Sequence, residues 1–167
     1  SLIRDRAGLA HLFIFWGFLS FATSYLVFIY GDSLWRPFST TLLTGPGARA
    51  FGAYMDILAG AFLGVLAWAA LRRWVVKPHR LTFDLTRNLD SVLVICLTAL
   101  LMVLTLLTEA AYVAAGVDKV GPSAPLGSAM GEVLKGVGLG QGAAQGLHGL
   151  FWWLHLGVIL GFGLYVP

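Results

Sequence analysis

Residues 91–108 read SVLVICLTALLMVLTLLT, eighteen consecutive residues without a charged side chain. A helix of this length rises about 27 Å, close to the ~30 Å hydrocarbon core of a bilayer. The sequence therefore predicts a membrane-spanning helix over about 91–110.

Three further apolar stretches are long enough to cross a bilayer, over about 9–30, 51–76 and 147–167. With the first they predict an all-α fold, an integral membrane four-helix bundle that forms one transmembrane domain over residues 1–167. The segment 114–146 is rich in Gly, Pro and Ser. It is predicted as an outer loop that caps the bundle or holds a short interfacial helix.

Composition excludes an ordinary soluble enzyme. Of the 167 residues, 58% are hydrophobic and 11% are charged, against about 25% charged in a typical soluble domain. The net charge is +3, but the basic residues form no stripe with interleaved aromatics, so nucleic acid is not an expected partner. The single cysteine, Cys96, excludes a disulfide framework, a thiolate zinc site and an iron–sulfur ligand set within this sequence.

The basic residues predict the orientation of the bundle in the membrane. Cytoplasmic loops of membrane proteins are enriched in Lys and Arg. Seven of the eleven basic residues fall on one side of the predicted spans, and both termini lie on that side. Both termini are therefore predicted to be cytoplasmic. The seven residues are Arg4, Arg6, Arg72, Arg73, Lys77, Arg80 and Arg87.

Histidines within the predicted spans are candidates for function, because a polar group in hydrocarbon needs a partner or a role. His11 lies near the cytoplasmic end of the first span and His155 toward the outer part of the fourth. Each imidazole either makes one interhelical hydrogen bond or serves as an axial ligand of haem iron. His148 shares the helix face of His155 about 10.5 Å away, so the two cannot bind one iron. His148 is predicted to lie at the membrane interface, where it either carries protons or is simply solvated at the helix end.

Two carboxylates and four arginines complete the candidate site residues. Asp56 and Glu109 both fall near the outer face, where they either reach the interface or form, near His155, a protonatable cluster for quinone protons. At the opposite face, arginines either neutralise haem propionates or fix the topology. These are Arg4, Arg6, Arg72 and Arg73.

The first helix carries a resemblance to a known family. The run Arg6-Ala7-Gly8, followed by His11 and by Phe15-Trp16-Gly17-Phe18, resembles the start of the membrane domain of heterodisulfide-reductase-related iron–sulfur oxidoreductases. That domain is itself similar to the gamma subunit of respiratory nitrate reductase, a b-type cytochrome. Further matching motifs are Arg72-Arg73, Glu109-Ala110, Trp152-Trp153-Leu154-His155 and Tyr165-Val166-Pro167.

This resemblance implies a four- or five-helix bundle in a prokaryotic cytoplasmic membrane. The bundle would bind one or two b haems and exchange electrons between menaquinone or ubiquinone and an iron–sulfur oxidoreductase, which is a separate subunit or a fused domain. His11 matches a cytoplasmic-side haem ligand and His155 an outer-side ligand. The family continues after the final Pro with a further His that would partner His11, so a larger protein is expected.

The resemblance also contains a departure at Phe21, because nitrate reductase gamma subunits have a second His ten residues after the first. The outer haem is then missing, five-coordinate on His155, or bound by another residue. The leading hypothesis is an electron-transfer component without group-transfer chemistry of its own. The alternative is a haem-free membrane anchor for a peripheral catalytic subunit. A small transporter is a third interpretation, weakened by the lack of broken helices or an internal repeat.

Overall fold

Four long helices and one short helix make up the computed structural model of the chain, which describes residues 6–34, 45–76, 85–117 and 124–165. In these ranges there is no strand, and the predicted all-α class is confirmed. The helices are α1 (Arg6–Leu34), α2 (Gly45–Ala70, continued by a π-helical turn over Leu71–Val76), α3 (Leu85–Ala114), α4 (Pro125–Gly136) and α5 (Gln141–Tyr165).

Three of these helical segments are long and apolar enough to cross a membrane, and they are Gly45–Val76, Leu89–Ala114 and Gln141–Tyr165. The 29-residue helix α1 contains the shorter apolar segment Leu12–Ser24. Long apolar helices whose outer faces remain apolar are stable in lipid, because each satisfies its backbone hydrogen bonds internally. The chain is an all-α membrane bundle.

Helix α3 is central, because it packs against α2, α4 and α5, with its most extensive contacts to the last two. α3 and α5 run antiparallel: the Tyr165 hydroxyl donates to Asp90 Oδ1 at 2.6 Å at one end, and His148 meets Thr108 near the other. Helix α1 packs on α2 and reaches α5 through the rings of Phe18 and Phe162, whose centroids are 6.2 Å apart.

The contact between α1 and α2 is organised around Phe62, which is only 1% exposed. Its ring is edge-on to Phe21 with a centroid distance of 6.4 Å, and it lies against the backbone of Gly17. The Tyr54 hydroxyl also donates to Ser20 Oγ at 2.9 Å. These contacts fix the antiparallel register of the first two helices.

The outside of the bundle is apolar. Large side chains such as Leu164 (88% exposed) and Trp153 (67% exposed) have no covering neighbour in the isolated chain. A soluble monomer rarely exposes so much contiguous apolar surface. In a bilayer the same surface contacts lipid tails, so the exposed pattern agrees with the membrane bundle.

The helices differ from the predicted spans mainly at their ends. Each predicted span lies inside a helix as far as the structure describes it, and each helix begins earlier than its span. The segment 114–146 is not a loop throughout, since α4 occupies Pro125–Gly136 and α5 begins at Gln141. Apolarity predicts where a helix meets hydrocarbon, whereas backbone hydrogen bonding continues the helix beyond it.

Helix α4 lies against α2 and α3 through small residues. A Cβ atom at Gly131 would lie 2.9 Å from the Ala110 carbonyl oxygen and 2.6 Å from Val113 Cβ, and Leu126 rests on Gly60 of α2. Gly131 and Gly127, four residues apart, are both buried. Such spacing allows two helices to approach closely in a membrane protein. α4 is therefore a packed part of the bundle.

Candidate functional site

A cavity of about 950 Å³ lies between the four long helices. Cavities that bind cofactors or drug-sized ligands are typically about 300–1,000 Å³ and mostly apolar. Apolar side chains from α1, α2, α3 and α5 form most of the wall here. They include Phe18, Phe21, Phe62, Leu101, Met102, Ile159 and Phe162.

His155 lies in the wall of this cavity and is 8% exposed. Helix α5 places it seven residues after His148, so both imidazoles lie on the face that packs against α3. A neutral imidazole nitrogen in an apolar cavity can bind iron or form a hydrogen bond with a ligand. Phe21, at the position where the resemblance expects a second histidine, lines the same cavity from α1.

Helix α3 contributes a polar stripe to the cavity. Thr98, Thr105, Thr108 and Tyr112 share one helical face, and all four line the cavity. The hydroxyls of Thr105 and Thr108 donate to the carbonyls four residues earlier, at 2.9 and 2.6 Å. This back-bonding satisfies the hydroxyl protons within an apolar helix and leaves oxygen lone pairs as acceptors.

His148 is held by α3 on two sides. Its Nδ1 lies 3.1 Å from the Thr108 carbonyl oxygen, and its ring centroid is 4.9 Å from that of Tyr112. A carbonyl oxygen only accepts hydrogen bonds, so Nδ1 carries the proton in this contact. The neutral imidazole then has Nε2 as its acceptor. This arrangement suits a residue that receives a hydrogen bond or a proton.

Glu109 and Asp56 both lie against Gly127, but only Glu109 lines the cavity. Asp56 is 4% exposed, and its two carboxylate oxygens accept the backbone N–H groups of Leu126 and Gly127 at 2.7 and 2.9 Å. The structure therefore brings Glu109, His148 and His155 to one cavity. It places Asp56 behind that wall, at the N-terminus of α4.

The remaining predicted site residues lie elsewhere or outside the described part. Arg72 and Arg73 lie in the π-helical turn that ends α2, and the Arg72 guanidinium stands 5.3 Å from the centre of the Trp68 ring. His11 lies on α1, and Arg6 is the first residue of that helix, but the side chains of both are outside the described residues, as is all of Arg4. Within the described ranges, no cluster of three or more His, Cys, Asp or Glu residues is placed to hold a metal ion.

Sequence reasoning did not identify the threonines or Tyr112, and it allowed a short helix within 114–146 without placing α4 in the bundle. The threonine positions 98, 105 and 108 repeat at helical spacing, and that periodicity was a signal for one polar face. For α4, Pro125 at the first turn and the Gly127–Gly131 spacing were the available signals. The cap provided by Asp56, from a distance of 70 residues, has no local signal.

Comparison with known proteins gives one relationship. The chain is 30% identical over 169 aligned positions to a probable iron–sulfur-binding oxidoreductase, FadF, of Bacillus subtilis (strain 168). The match covers all of this chain and 23% of that relative. No protein-family model matches the chain. No solved structure matches it. The similarity relates this membrane bundle to an iron–sulfur oxidoreductase.

Proposed function

We propose that this chain is the electron-transfer membrane domain of an iron–sulfur oxidoreductase, binding haem b and exchanging electrons with a membrane quinone. The similarity of the whole chain to part of a probable iron–sulfur-binding oxidoreductase supports an iron–sulfur partner. This partner would be a fused domain or a separate subunit. The resemblance to nitrate reductase gamma subunits extends the proposal to a b-type cytochrome. The electrons would pass between menaquinone or ubiquinone and the iron–sulfur centres of the partner.

The observation that carries the proposal is the cavity with His155 in its wall. An imidazole in the wall of an apolar cavity within a membrane bundle is a candidate for ligand binding or chemistry. The volume of about 950 Å³ suits a large planar ligand, and the surrounding aromatic rings offer flat apolar contact. With His155 in the wall and aromatic rings around it, this cavity would suit the binding of a porphyrin.

The residues that would hold haem divide between the two ends of the bundle. His155 would hold haem in the cavity, and His11 on α1 would hold a second, cytoplasmic-side haem. Arg72 and Arg73, with Arg4 and Arg6, are proposed to neutralise the propionates at that end. When bound, haem b supplies one-electron transfer to the site.

The polar edge of the cavity is proposed to bind the quinone headgroup. Glu109, His148 and Tyr112 line this edge, and the fixed Nδ1–H of His148 leaves Nε2 as an acceptor. Oxidation of a quinol releases two electrons and two protons, so its hydroxyl groups need acceptors. Nε2 of His148 and the Glu109 carboxylate are the proposed acceptors, and the same groups return protons when a quinone is reduced.

Replacement of each histidine tests the haem proposal. In the purified protein we expect His155→Ala to remove the b-type absorption bands of the haem bound in the cavity, and His11→Ala to remove those of the second haem. The measurement is the reduced-minus-oxidised spectrum together with the haem-to-protein ratio. His79→Ala is the matched control, at a position outside the described residues, and it should retain full haem content.

A spectrum without b-type bands in the unaltered protein would contradict the haem proposal. Retention of all bands in His155→Ala would contradict the assignment of the cavity. Assembly with the iron–sulfur partner in the absence of any pigment would favour the alternative of a haem-free membrane anchor.

A further inference from the structure

Helix α4 begins without a capping side chain of its own. Its N-cap residue is Ala124, and Pro125 occupies the first helical position. The first N–H groups of any helix have no partner within the helix, and they cost free energy when buried. Ala124 itself provides no side-chain hydrogen bond at the cap, so a partner from another element can satisfy these groups.

Asp56 of α2 is that partner. Its Oδ2 accepts the N–H of Leu126 at 2.7 Å, and its Oδ1 accepts the N–H of Gly127 at 2.9 Å. A carboxylate at a helix N-terminus gains from charge-assisted hydrogen bonds and from the positive end of the helix dipole. Asp56 therefore tethers the first turn of α4 to α2.

The first turn of α4 in turn touches a residue of the cavity. Gly127 packs on Glu109 so closely that a Cβ atom at position 127 would overlap the Glu109 side chain, and the same Cβ would lie 3.3 Å from Asp56 Oδ1. Glu109 lines the cavity, and its Oε1 is shielded from solvent. The position of Glu109 thus depends on where α4 begins.

We propose that Asp56 is a positioning residue, which holds Gly127 against Glu109 and thereby fixes the Glu109 carboxylate at the cavity edge. The inference rests on the proposed function, in which Glu109 contacts the quinone headgroup. It gives Asp56 a role without contact to the ligand, and it makes α4 part of the binding site.

A double-mutant cycle tests the coupling between Asp56 and Glu109 in the full protein. The probe is a fluorescent hydroxyquinoline N-oxide, a quinone analogue whose emission is quenched on binding. We expect Asp56→Ala and Glu109→Gln each to weaken binding about tenfold, and the double variant to bind no more weakly than Glu109→Gln alone. Non-additivity is the readout that a merely stabilising role for Asp56 would not produce.

Two glycine variants of α4 form a matched pair that leaves Asp56 in place. In Gly127→Ala the added methyl group overlaps the Glu109 side chain. This variant should weaken binding of the analogue to the same extent as Asp56→Ala. Gly136→Ala lies on the same helix with no atom within 4 Å of its Cβ, so binding should be unchanged. Hydrogen exchange at the Leu126 and Gly127 amides should increase in Asp56→Ala only.

The outcomes separate this inference from the proposed function. If Glu109→Gln binds as the unaltered protein does, the role of Glu109 in quinone binding fails, and with it this inference. If Glu109→Gln weakens binding but the double variant shows the product of the two single effects, the positioning role alone is overturned. Unchanged binding in both Asp56→Ala and Gly127→Ala overturns it as well, and Asp56→Asn repeats the test if the alanine variant does not fold.

Discussion

Gly17 allows close packing of α2 on α1, because the ring of Phe62 occupies the space that a side chain at position 17 would fill. Between helices in lipid there is no hydrophobic driving force, so close van der Waals packing supplies much of the association energy. Helix packing therefore explains the glycine in the motif Phe15-Trp16-Gly17-Phe18, which carries the resemblance. The nearby residues Phe15 and Trp16 are exposed, and their rings meet edge to face with centroids 5.7 Å apart.

Gly17→Ala and Gly64→Ala should change stability in opposite directions. The first forces the packed Phe62 ring to move, and overpacking of this kind costs about 1–3 kcal/mol. The second faces open space, so the better helix propensity of alanine should add up to about 1 kcal/mol. Unfolding by SDS in mixed micelles measures both changes. A loss of stability in Gly64→Ala equal to that in Gly17→Ala would contradict this account of the α1–α2 contact.

Helix α3 both lines the cavity and packs against other helices, and different faces of the helix serve these two roles. One face carries the threonine stripe and Glu109 toward the cavity, and other faces pack on α2 and α4. The helix ends at Ala114 and is followed by Gly116, whose φ of +71° favours glycine. The N–H of Val117 bonds back to the Tyr112 carbonyl at 3.3 Å. The same end of α3 therefore carries both the polar edge of the cavity and the surface on which α4 packs.

A local cap for α4 should replace the tether from Asp56. In an Asp56→Ala background, Ala124→Ser adds a hydroxyl at the N-cap that can accept the same N–H groups, and it should restore about 1 kcal/mol. In the unaltered protein those N–H groups already have a carboxylate partner, so Ala124→Ser should add little. SDS unfolding of the unaltered protein, the two single variants and the double variant measures the difference. An equal gain in both backgrounds would mean that Asp56 is not the cap.

At the scale of the whole molecule, the bundle differs from a soluble protein in its outer surface. Its outer surface is apolar, and the cavity between the long helices is lined by Glu109, His148 and the buried His155. Lipid tolerates the first feature, and the neighbouring helices satisfy or use the second. The ends of the bundle are chemically different, since Arg72 and Arg73 lie at one end and α4 at the other.

The orientation of the bundle is testable by labelling single cysteines. In a Cys96→Ala background, Gly136→Cys at the end of α4 should react with a membrane-impermeant maleimide in intact cells. Val76→Cys, at the end that carries Arg72 and Arg73, should react only after permeabilisation, because basic ends face the cytoplasm. Both positions are exposed, so a difference in labelling reports the side of the membrane. The opposite pattern would contradict cytoplasmic termini.

The sequence alone determined the all-α membrane bundle, because long uncharged stretches such as 91–108 have one stable form in lipid, the hydrogen-bonded helix. It also singled out Glu109, His148 and His155, since a polar residue in or beside an apolar run can be recognised without knowing how the helices pack. The assignments of haem, quinone and the arginines remain predictions, and the position of the His11 side chain lies outside the described residues.

Only the tertiary structure decided which of these residues share a cavity. Asp56 and Glu109 have the same sequence signature, a carboxylate near the end of a span, yet one caps α4 and the other lines the cavity. The direction in which a side chain points depends on how the helices rotate against each other, and that rotation depends on contacts such as Gly17 on Phe62 and Gly127 on Glu109. Periodicity within one helix carries no information about the rotation of its neighbours, so tertiary packing had to assign the two roles.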